Sequence, residues 1–431
     1  MNPVVLFGAF DRHNFGDLLF PHIAAAMLPD VEPLFAGLVE RDMRALGGHR
    51  VRPLAGVPAA LATAAALTAG GDRPGATLVH VGGEILTCDA WQAAVMLLPP
   101  ELVQPTIGRL DAQPAQRIAW ARSFLGGTGL APYVASREGL PGIERVVYLG
   151  AGGTGLADCE PALRAEVIAK LSSADEVGVR DRHTLAQLRA AGIAARLMPD
   201  PAVMAAELFG DAIRTRSGPA GIAGRFADGY LAVQFSADFG DDDTLDRLAA
   251  QLDRLAASTG LGVALFRAGA APWHDDLGVL RRTAARLRPG SAAVFESLDL
   301  WDICALLAGS RGYCGSSLHG RIVATAFGLP RVNLLHPSTR PRRAGVAGGY
   351  GGDGDNGGDR CDGGEAPTVG KQAAYAETWE LPGLPTVAGV DDVAEAVGEA
   401  LAADPAALAA HAASLAARYR RTFAEIMGGG T

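Results

Sequence analysis

Short apolar segments alternate with amphipathic helical segments along most of this 431-residue chain, and this alternation restricts the possible folds more than any other feature. In the second half, apolar runs at Tyr230 to Phe235, Gly262 to Phe266 and Ala292 to Phe295 are separated by helical patterns at Thr244 to Ala257 and Leu277 to Leu287. Strands separated by helices of this length pair in parallel and are covered by helices. The first half shows the same rhythm. The sequence therefore predicts an α/β protein with two Rossmann-like domains that enclose a cleft.

The predicted domain boundary is a segment at Gly210 to Asp228 that is rich in Gly, Arg, Ser and Pro and has no apolar periodicity. A chain of this length is too long for one ordinary core. We expect an N-terminal α/β domain over 1–212, a linker over 213–228 and a C-terminal α/β domain over 229–403. C-terminal helices follow, and the last one, over 404–431, could pack back on the first domain.

Composition excludes several classes of protein. Hydrophobic residues make up 49% of the chain and charged residues 20%, which is typical of a globular protein. The formal net charge of −9 argues against nucleic acid or an anionic membrane as a general partner. The five cysteines are scattered and form no CxxC pair, which fits a reducing compartment without disulfides. Because no signal peptide or membrane span is recognisable, we expect a soluble cytoplasmic protein.

The segment 315–321, Gly-Ser-Ser-Leu-His-Gly-Arg, carries the richest chemistry. It follows a short predicted strand and opens a predicted helix, which is the usual location of a ligand site in an open α/β sheet. The hydroxyls of Ser316 and Ser317, the imidazole of His319 and the guanidinium of Arg321 lie beside a helix N-terminus, which favours anions. This pattern predicts an anion-binding, proton-transferring turn. Alternatively, a serine only caps the helix and His319 packs in its first turn.

Two strand ends in the first half carry further candidate binding residues. Asn14 and Asp17 lie in the polar turn after the first strand, and Gly82-Gly83-Glu84 follows the strand at Thr77 to Val81. Glycines at such positions let a ligand or another backbone approach closely. Glu84 could act as a general acid or base or bind a sugar hydroxyl. The alternatives are that Asp17 is an ordinary N-cap and that Glu84 is an exposed residue at a helix start.

Arg180 ends another predicted strand and could bind a carboxylate or phosphate with two parallel hydrogen bonds. Alternatively, it forms an ion pair with Asp181 or a neighbouring acid.

Other motifs are absent or do not fit. The glycine-rich turn at Gly150 to Gly155 lacks the spacing of a dinucleotide fingerprint, and the chain has no Gly-Lys-Ser or Gly-Lys-Thr of a P-loop. No HxH or HExxH pattern occurs, and the Asp- and Gly-rich segment at Gly345 to Gly364 matches no calcium motif. We therefore expect no metal and no cofactor, and a flexible loop at 345–364.

Five stretches, taken in their order along the chain, resemble the polysaccharide pyruvyltransferase family. They are Gly8 to Asp17 with its Asn-Phe-Gly-Asp, Val81-Gly82-Gly83, Gly178-Val179-Arg180-Asp181, Pro199-Asp200-Pro201 and the segment 315–321. The resemblance spans most of the chain, and its most specific part is the last stretch.

This resemblance implies a fold similar to the two-domain GT-B glycosyltransferases and an enzyme of polysaccharide or exopolysaccharide biosynthesis. Members transfer the enolpyruvyl unit of phosphoenolpyruvate to a sugar, usually as a cyclic ketal across two hydroxyls, and release phosphate. By resemblance, His319 would be the general acid or a phosphate partner, and Arg180 and Arg321 would bind the donor's carboxylate and phosphate. The acceptor would be a sugar or lipid-linked glycan on the N-terminal domain.

The chain departs from the family pattern at two positions. Ser317 stands where many members have an arginine, and Glu84 stands where many have a third glycine. Two other functions therefore stay open: a GT-B glycosyltransferase with a nucleotide-sugar donor, and a non-catalytic carbohydrate- or anion-binding relative.

Overall fold

The computed structural model describes residues 2–67, 75–336 and 370–428, which form two compact units. Described residues up to Gly210 and from Ala413 onward belong to the N-terminal unit, and those from Asp211 to Ala412 belong to the C-terminal unit. The segment predicted as a linker is partly helical. The segment predicted as a flexible loop, Gly345 to Gly364, lies outside the described residues.

The N-terminal unit is built on an eight-stranded sheet. Its strands are β1 (Val4–Phe7), β2 (Leu34–Gly37), β3 (Arg41–Asp42), β4 (Arg50–Pro53), β5 (Ala76–His80), β6 (Ile143–Ala151), β7 (Glu176–Val179) and β8 (Arg196–Leu197). The order across the sheet is β3-β4-β2-β1-β5-β6-β7-β8, and every neighbouring pair except β3 and β4 is parallel. Strands β2 to β4 lie on one side of β1, and strands β5 to β8 lie on the other. The strand order therefore reverses between β1 and β5.

Helices connect these strands. They are α1 (Phe15–Ala26), α2 (Val57–Leu67), α3 (Ala90–Met96), α4 (Pro100–Leu110), α5 (Pro114–Leu125), α6 (Pro161–Ser172), α7 (Arg182–Ala190) and α8 (Ala205–Arg214). Local sequence explains where several of them begin. Proline occupies the first turn of α4, α5 and α6, where a missing N–H breaks no helical hydrogen bond. Helix α3 begins with a capping box formed by Asp89 and Gln92.

The C-terminal unit is built on a six-stranded parallel sheet. Its strands are β9 (Tyr230–Gln234), β10 (Gly262–Phe266), β11 (Ala292–Phe295), β12 (Gly312–Gly315), β13 (Arg331–Leu334) and β14 (Val387–Ala388). They lie in the order β11-β10-β9-β12-β13-β14, which is the order of a dinucleotide-binding sheet. The three strands predicted between residues 230 and 295 are confirmed. In this sheet the direction reverses between β9 and β12.

The helices of this unit are α9 (Ala220–Ala223), α10 (Asp242–Thr259), α11 (Leu277–Arg286), α12 (Leu300–Ala308), α13 (Leu318–Ala326), α14 (Lys371–Trp379) and α15 (Val393–Leu401). Helix α10 shows how they cover the sheet. Its Leu245, Leu248, Leu252 and Leu255 recur at intervals of three and four and are buried in the core. Each such leucine stabilises the fold by about 1.5–3 kcal/mol.

Helix α16 (Pro405–Gly428) ends the described chain. Its residues from Ala413 onward belong to the N-terminal unit, where Nη1 of Arg145 donates to the carbonyl of Met427 at 3.3 Å. None of the described helices taken singly is long and apolar enough to cross a membrane. The pair Val390–Leu401 and Pro405–Gly428 reaches that length and composition only when joined across a 90° bend.

The cysteines differ from the expectation in one respect. Cys88, Cys304 and Cys314 are free and buried, as expected of reduced thiols. Cys159 is disulfide-bonded, so the expectation of a chain without disulfides is wrong at this residue.

Candidate functional site

Apart from Arg180, which follows β7, the candidate residues lie at the point of reversal in each sheet. In the N-terminal unit, Asn14 and Asp17 follow β1, and Gly82, Gly83 and Glu84 follow β5. In the C-terminal unit, the segment 315–321 follows β12, which lies beside β9. Ligands of open α/β sheets bind outside the carboxyl ends of the two strands where the order reverses. The geometry therefore gives two candidate sites, one in each unit.

The turn after β12 places both serines at the start of α13. Ser317 is the N-cap, and its hydroxyl accepts a hydrogen bond from the N–H of Gly320 at 3.2 Å. The hydroxyl of Ser316 accepts from the N–H of Ser236 at 3.0 Å, and both serines are half-buried. Capping is therefore one role of Ser317, and contact of either serine with a ligand stays a prediction. His319 lies buried in the first turn of the same helix.

Two buried side chains, Gln234 and Tyr313, form hydrogen bonds with the backbone of this turn. The N–H of Ser317 donates to Oε1 of Gln234 at 2.7 Å and to the hydroxyl oxygen of Tyr313 at 3.1 Å. The Tyr313 hydroxyl in turn donates to the carbonyl of Ser317 at 3.0 Å. Neither residue was singled out from the sequence. The available signal for Gln234 was a polar amide at the end of an otherwise apolar strand.

The ring of Tyr313 occupies the space that a side chain at position 320 would need, so only glycine fits there without a shift. A Cβ at position 320 would lie 2.5 Å from Cζ of Tyr313. We expect Gly320→Ala to lower the free energy of unfolding by about 1–3 kcal/mol, since either the ring or the helix start must move. Urea denaturation measures this change.

Gly398→Ala is the matched control, because it is also a helical position and no atom lies within 4 Å of its added Cβ. Helix propensity favours alanine there by about 0.5–1 kcal/mol. If Gly320→Ala is as stable as wild type, the steric argument is wrong.

Arg321 lies in a buried ion cluster with Glu380 and Arg331. It pairs with Glu380, and its Nη1 donates to the carbonyl of Thr386 at 2.9 Å. Arg331 also pairs with Glu380 at 2.5 Å. Burial by itself would raise the pKa of Glu380, but the charges of the two arginines outweigh it and hold the pKa below its usual value. The guanidinium of Arg321 thus has protein partners, and its predicted contact with a donor is still untested.

The loop after β1 forms the first part of the N-terminal site. Asn14 is the N-cap of α1 and accepts from the N–H of Gly16 at 3.1 Å, so the alternative that Asp17 caps this helix is wrong. Asp17 lies buried in the first turn, 3.6 Å from Nη2 of Arg12. Asp11 accepts from the N–H of Leu38 at 2.6 Å and from the hydroxyl of Tyr133 at 2.9 Å.

Arg180 links the ends of β5 and β7 through a buried ion cluster. It pairs with Glu84, and its Nη1 lies 3.2 Å from Oδ2 of Asp200. The side chains of Arg180 and Asp200 are 2% and 0% exposed, whereas Glu84 is 16% exposed. Burial raises the pKa of Asp200 to about 6 although the charge of Arg180 lowers it. Asp181, the other possible partner, is the N-cap of α7.

Glycines bring the strands of this site together. Gly82 and Gly83 have φ angles of 119° and 96°, a left-handed conformation that favours glycine. The N–H of Gly152 donates to the carbonyl of Gly83 at 2.8 Å, and a Cβ at position 152 would overlap Glu84 and Arg180. The predicted close approach at Gly82 and Gly83 is therefore an approach of backbone. Contact with a ligand there is untested.

The N-terminal site holds an excess of acidic side chains. Its carboxylates are Asp11, Asp17, Glu84 and Asp200, and its guanidiniums are Arg12 and Arg180. Among the residues that the structure describes, no group of three or more His, Cys, Asp and Glu is arranged to hold a metal ion. Carboxylates accept hydrogen bonds, so an acidic site of this kind is chemically suited to hydrogen-bond donors such as sugar hydroxyls.

Comparison with known proteins gives one family match. Residues 133–337 match the family described as polysaccharide pyruvyl transferase, a range that includes Arg180 and the segment 315–321 but not Asn14, Asp17 or Glu84. No curated protein matches the chain.

Several solved structures have a similar fold. The UDP-GlcNAc 2-epimerase from Neisseria meningitidis bound to UDP-GlcNAc is 9% identical with a TM-score of 0.52, and the match covers 100% of both chains. The UDP-GlcNAc 2-epimerase from Methanocaldococcus jannaschii is 10% identical with a TM-score of 0.50 and coverage of 93% of this chain and 92% of that one. At such identities the likeness concerns the fold alone. It confirms the expected GT-B-like α/β fold class.

Proposed function

We propose that this chain, whose residues 133–337 match the polysaccharide pyruvyl transferase family, transfers the pyruvyl unit of phosphoenolpyruvate to a sugar. The acceptor would be a sugar or lipid-linked precursor of a cell-surface polysaccharide, and the reaction would take place in the cytoplasm. The observation that carries the proposal is the turn after β12, where His319 lies in the first turn of α13 at the point of reversal of the sheet.

The donor fits this turn chemically. Phosphoenolpyruvate carries a carboxylate and a phosphate, and the N-terminus of α13 presents backbone N–H groups with a favourable helix dipole. The half-buried hydroxyls of Ser316 and Ser317 lie at the same turn. An imidazole is the side chain best suited to exchange a proton near neutral pH, so His319 would serve as the general acid or hydrogen-bond the phosphate.

The proposed reaction joins two sugar hydroxyls to one carbon of phosphoenolpyruvate and needs one proton donor. The general acid protonates the methylene carbon of the donor, and a first sugar hydroxyl forms a C–O bond to the neighbouring carbon and loses its proton to a base. A second hydroxyl then bonds to the same carbon as the phosphate departs with the electron pair of the broken C–O bond. The products are a cyclic ketal and inorganic phosphate, which takes up the remaining proton. No redox step or cofactor is needed.

We assign the acceptor to the N-terminal site. The excess of carboxylates there disfavours an anionic donor but suits neutral hydroxyls, which donate hydrogen bonds to carboxylates. Glu84 is the most exposed member of the Arg180 cluster, so it is our candidate for the group that binds or deprotonates a sugar hydroxyl. Arg180 would hold the Glu84 carboxylate in place. This assignment replaces the donor contact that the family resemblance implies for Arg180.

Ligand-induced stabilisation tests the donor. A ligand at about 100 times its dissociation constant adds about 2.7 kcal/mol to the free energy of unfolding. We expect phosphoenolpyruvate to raise the unfolding temperature of the wild type and to do so less in His319→Ala. Inorganic phosphate at the same concentration is the control for a general anion effect.

A set of nucleotide sugars tests the main alternative, a GT-B glycosyltransferase. The Neisseria meningitidis enzyme of similar fold is bound to UDP-GlcNAc, which makes that sugar nucleotide the first to include. Stabilisation by nucleotide sugars without stabilisation by phosphoenolpyruvate would refute pyruvyl transfer.

A further inference from the structure

The loop after β10 carries a carboxylate that reaches the candidate donor site through one intermediate side chain. Oδ1 of Asp275 accepts from Nε2 of Gln234 at 2.7 Å. Its Oδ2 accepts from the N–H of Ala268 at 2.6 Å and of Gly269 at 3.4 Å. Gln234 ends β9, and its other amide atom, Oε1, accepts from Ser317. One unbroken chain of hydrogen bonds therefore runs from this loop to the N-cap of α13.

The loop is held in a strained conformation. Trp273 has a φ of 62°, and it is the one non-glycine residue with positive φ in the described parts of the chain. The N–H of Asp275 donates to the carbonyl of Gly269 at 3.1 Å, and the N–H of Ala237 donates to the carbonyl of His274 at 2.9 Å. Strain of this kind persists only where surrounding contacts enforce it. These contacts fix the place of Asp275 relative to the end of β9.

Donor and acceptor types determine the direction of the chain of hydrogen bonds. The N–H of Ser317 can only donate, so the Gln234 atom beside it must be the amide oxygen. The amide NH₂ then faces Asp275, which as a carboxylate can only accept. Asp275 thus selects one of the two orientations of the Gln234 amide. That orientation gives the Ser317 N–H the shorter of its two hydrogen bonds, at 2.7 Å, beside the one to the Tyr313 hydroxyl at 3.1 Å.

We propose that Asp275 is a positioning residue that acts through Gln234 to set the first turn of α13, and with it His319. Its effect on catalysis rests on the function proposed above, but its effect on His319 does not. Burying the Asp275 carboxyl group lowers the stability of the fold, so packing alone does not explain why an acid occupies this position. Burial raises the pKa of Asp275 to about 7. The hydrogen bonds from the two backbone N–H groups and from Gln234, and the charge of Arg267, lower it by less. The resulting loss of folding stability begins above the ordinary pKa of 3.8 and is complete above about pH 7, which is expected of a carboxyl group retained for its position.

Two single substitutions break the chain of hydrogen bonds, and their combination restores it. In Asp275→Asn, the amide oxygen stays on the N–H groups of Ala268 and Gly269, and its NH₂ faces Gln234. Gln234 must then turn its oxygen toward position 275, which leaves its NH₂ against the Ser317 N–H. Gln234→Glu instead places two carboxylates side by side. In the double variant, the glutamate accepts from both Ser317 and Asn at 275, with the formal charge unchanged.

The first readout needs no substrate. In protein with ¹³C-labelled histidine, the His319 signal is assigned by its loss in His319→Gln, and its chemical shift is followed against pH. We expect the His319 titration to change in both single variants and to return to the wild-type curve in the double variant. The signal of His80, buried in the other unit, should not change in any of them. An unchanged His319 titration in the single variants, or an altered one in the double variant, overturns the proposal.

The second readout is transfer activity. We expect kcat to fall about 10- to 100-fold in each single variant with a smaller change in KM, and to recover in the double variant, because misplacing a reacting group by about 1 Å has effects of this size. A double variant as slow as the single ones would refute the coupling. If a single variant fails to fold, the double variant still tests the proposal. The proposal requires the double variant to fold and to show the wild-type His319 titration. A wild type without transfer activity would refute the proposed function and leave the histidine test valid.

Discussion

Replacing His319 with alanine is expected to lower kcat for pyruvyl transfer by about 10²- to 10⁴-fold, the usual contribution of a general acid. The side chain lies buried in the first turn of α13, beside the N–H groups that we assign to the donor anion. Its loss removes the proton source for the methylene carbon. Steady-state kinetics with phosphoenolpyruvate and an acceptor sugar, followed by release of phosphate, measures the effect.

His319→Gln is the matched control for this experiment. Glutamine fills a similar volume and keeps one donor and one acceptor, but it does not titrate near neutral pH. Loss of activity in both variants indicates proton transfer, whereas activity in the glutamine variant alone indicates a hydrogen bond to phosphate. Full activity in the alanine variant would contradict a catalytic role and favour a non-catalytic carbohydrate- or anion-binding protein.

Replacing Glu380 with glutamine is expected to reduce the free energy of unfolding by about 3–5 kcal/mol, the usual loss when one partner of a buried ion pair is removed. The side chains of Arg321 and Arg331 are 1% and 0% exposed, and both pair with this one carboxylate. Its neutralisation leaves two buried guanidiniums without a counter-charge. Urea denaturation followed by a probe in the C-terminal unit measures the change.

Glu296→Gln provides the comparison at the surface. Glu296 pairs with Arg281, but the two side chains are 52% and 58% exposed. Exposed pairs contribute about 0–1 kcal/mol. Equal effects of the two substitutions would show that the Glu380 cluster does not stabilise the fold.

The Glu380 cluster also has a defined pH dependence. The pKa of Glu380 in the folded protein lies below its ordinary value of 4.5. Its stabilisation is therefore complete above about pH 4.5 and is lost as the pH falls through the lower, folded value.

Periodicity was sufficient to predict β9 to β12, because parallel sheets flanked by helices leave a regular pattern in the sequence. The strands β13 and β14 were not predicted. Periodicity also located the turn after β12 and the strand ends that carry Asp17 and Glu84. Which side chains pair could not be predicted. Arg180 pairs with Glu84 and Asp200, which are 96 and 20 residues away, whereas the adjacent Asp181 caps a helix.

The residues that support the turn after β12 were missed for the same reason. Gln234, Asp275 and Glu380 carry no motif, and their roles arise only when distant strands and loops meet. Arg321 shows the same limit within a motif. Within its motif it suggests an anion site, but the sequence gives no sign that a glutamate 59 residues further on will meet its guanidinium.

The pairing of β9 with β12 has a consequence for how this protein acquires its activity. Gln234 and Ser317 are 83 residues apart, so the turn that holds His319 is unsupported until the chain between them has folded and the two central strands have met. Closing so long a loop is slow compared with forming local helices. During refolding, the ability to bind a donor should therefore appear after most of the helical signal has returned. A stalled or truncated chain would be helical yet inactive.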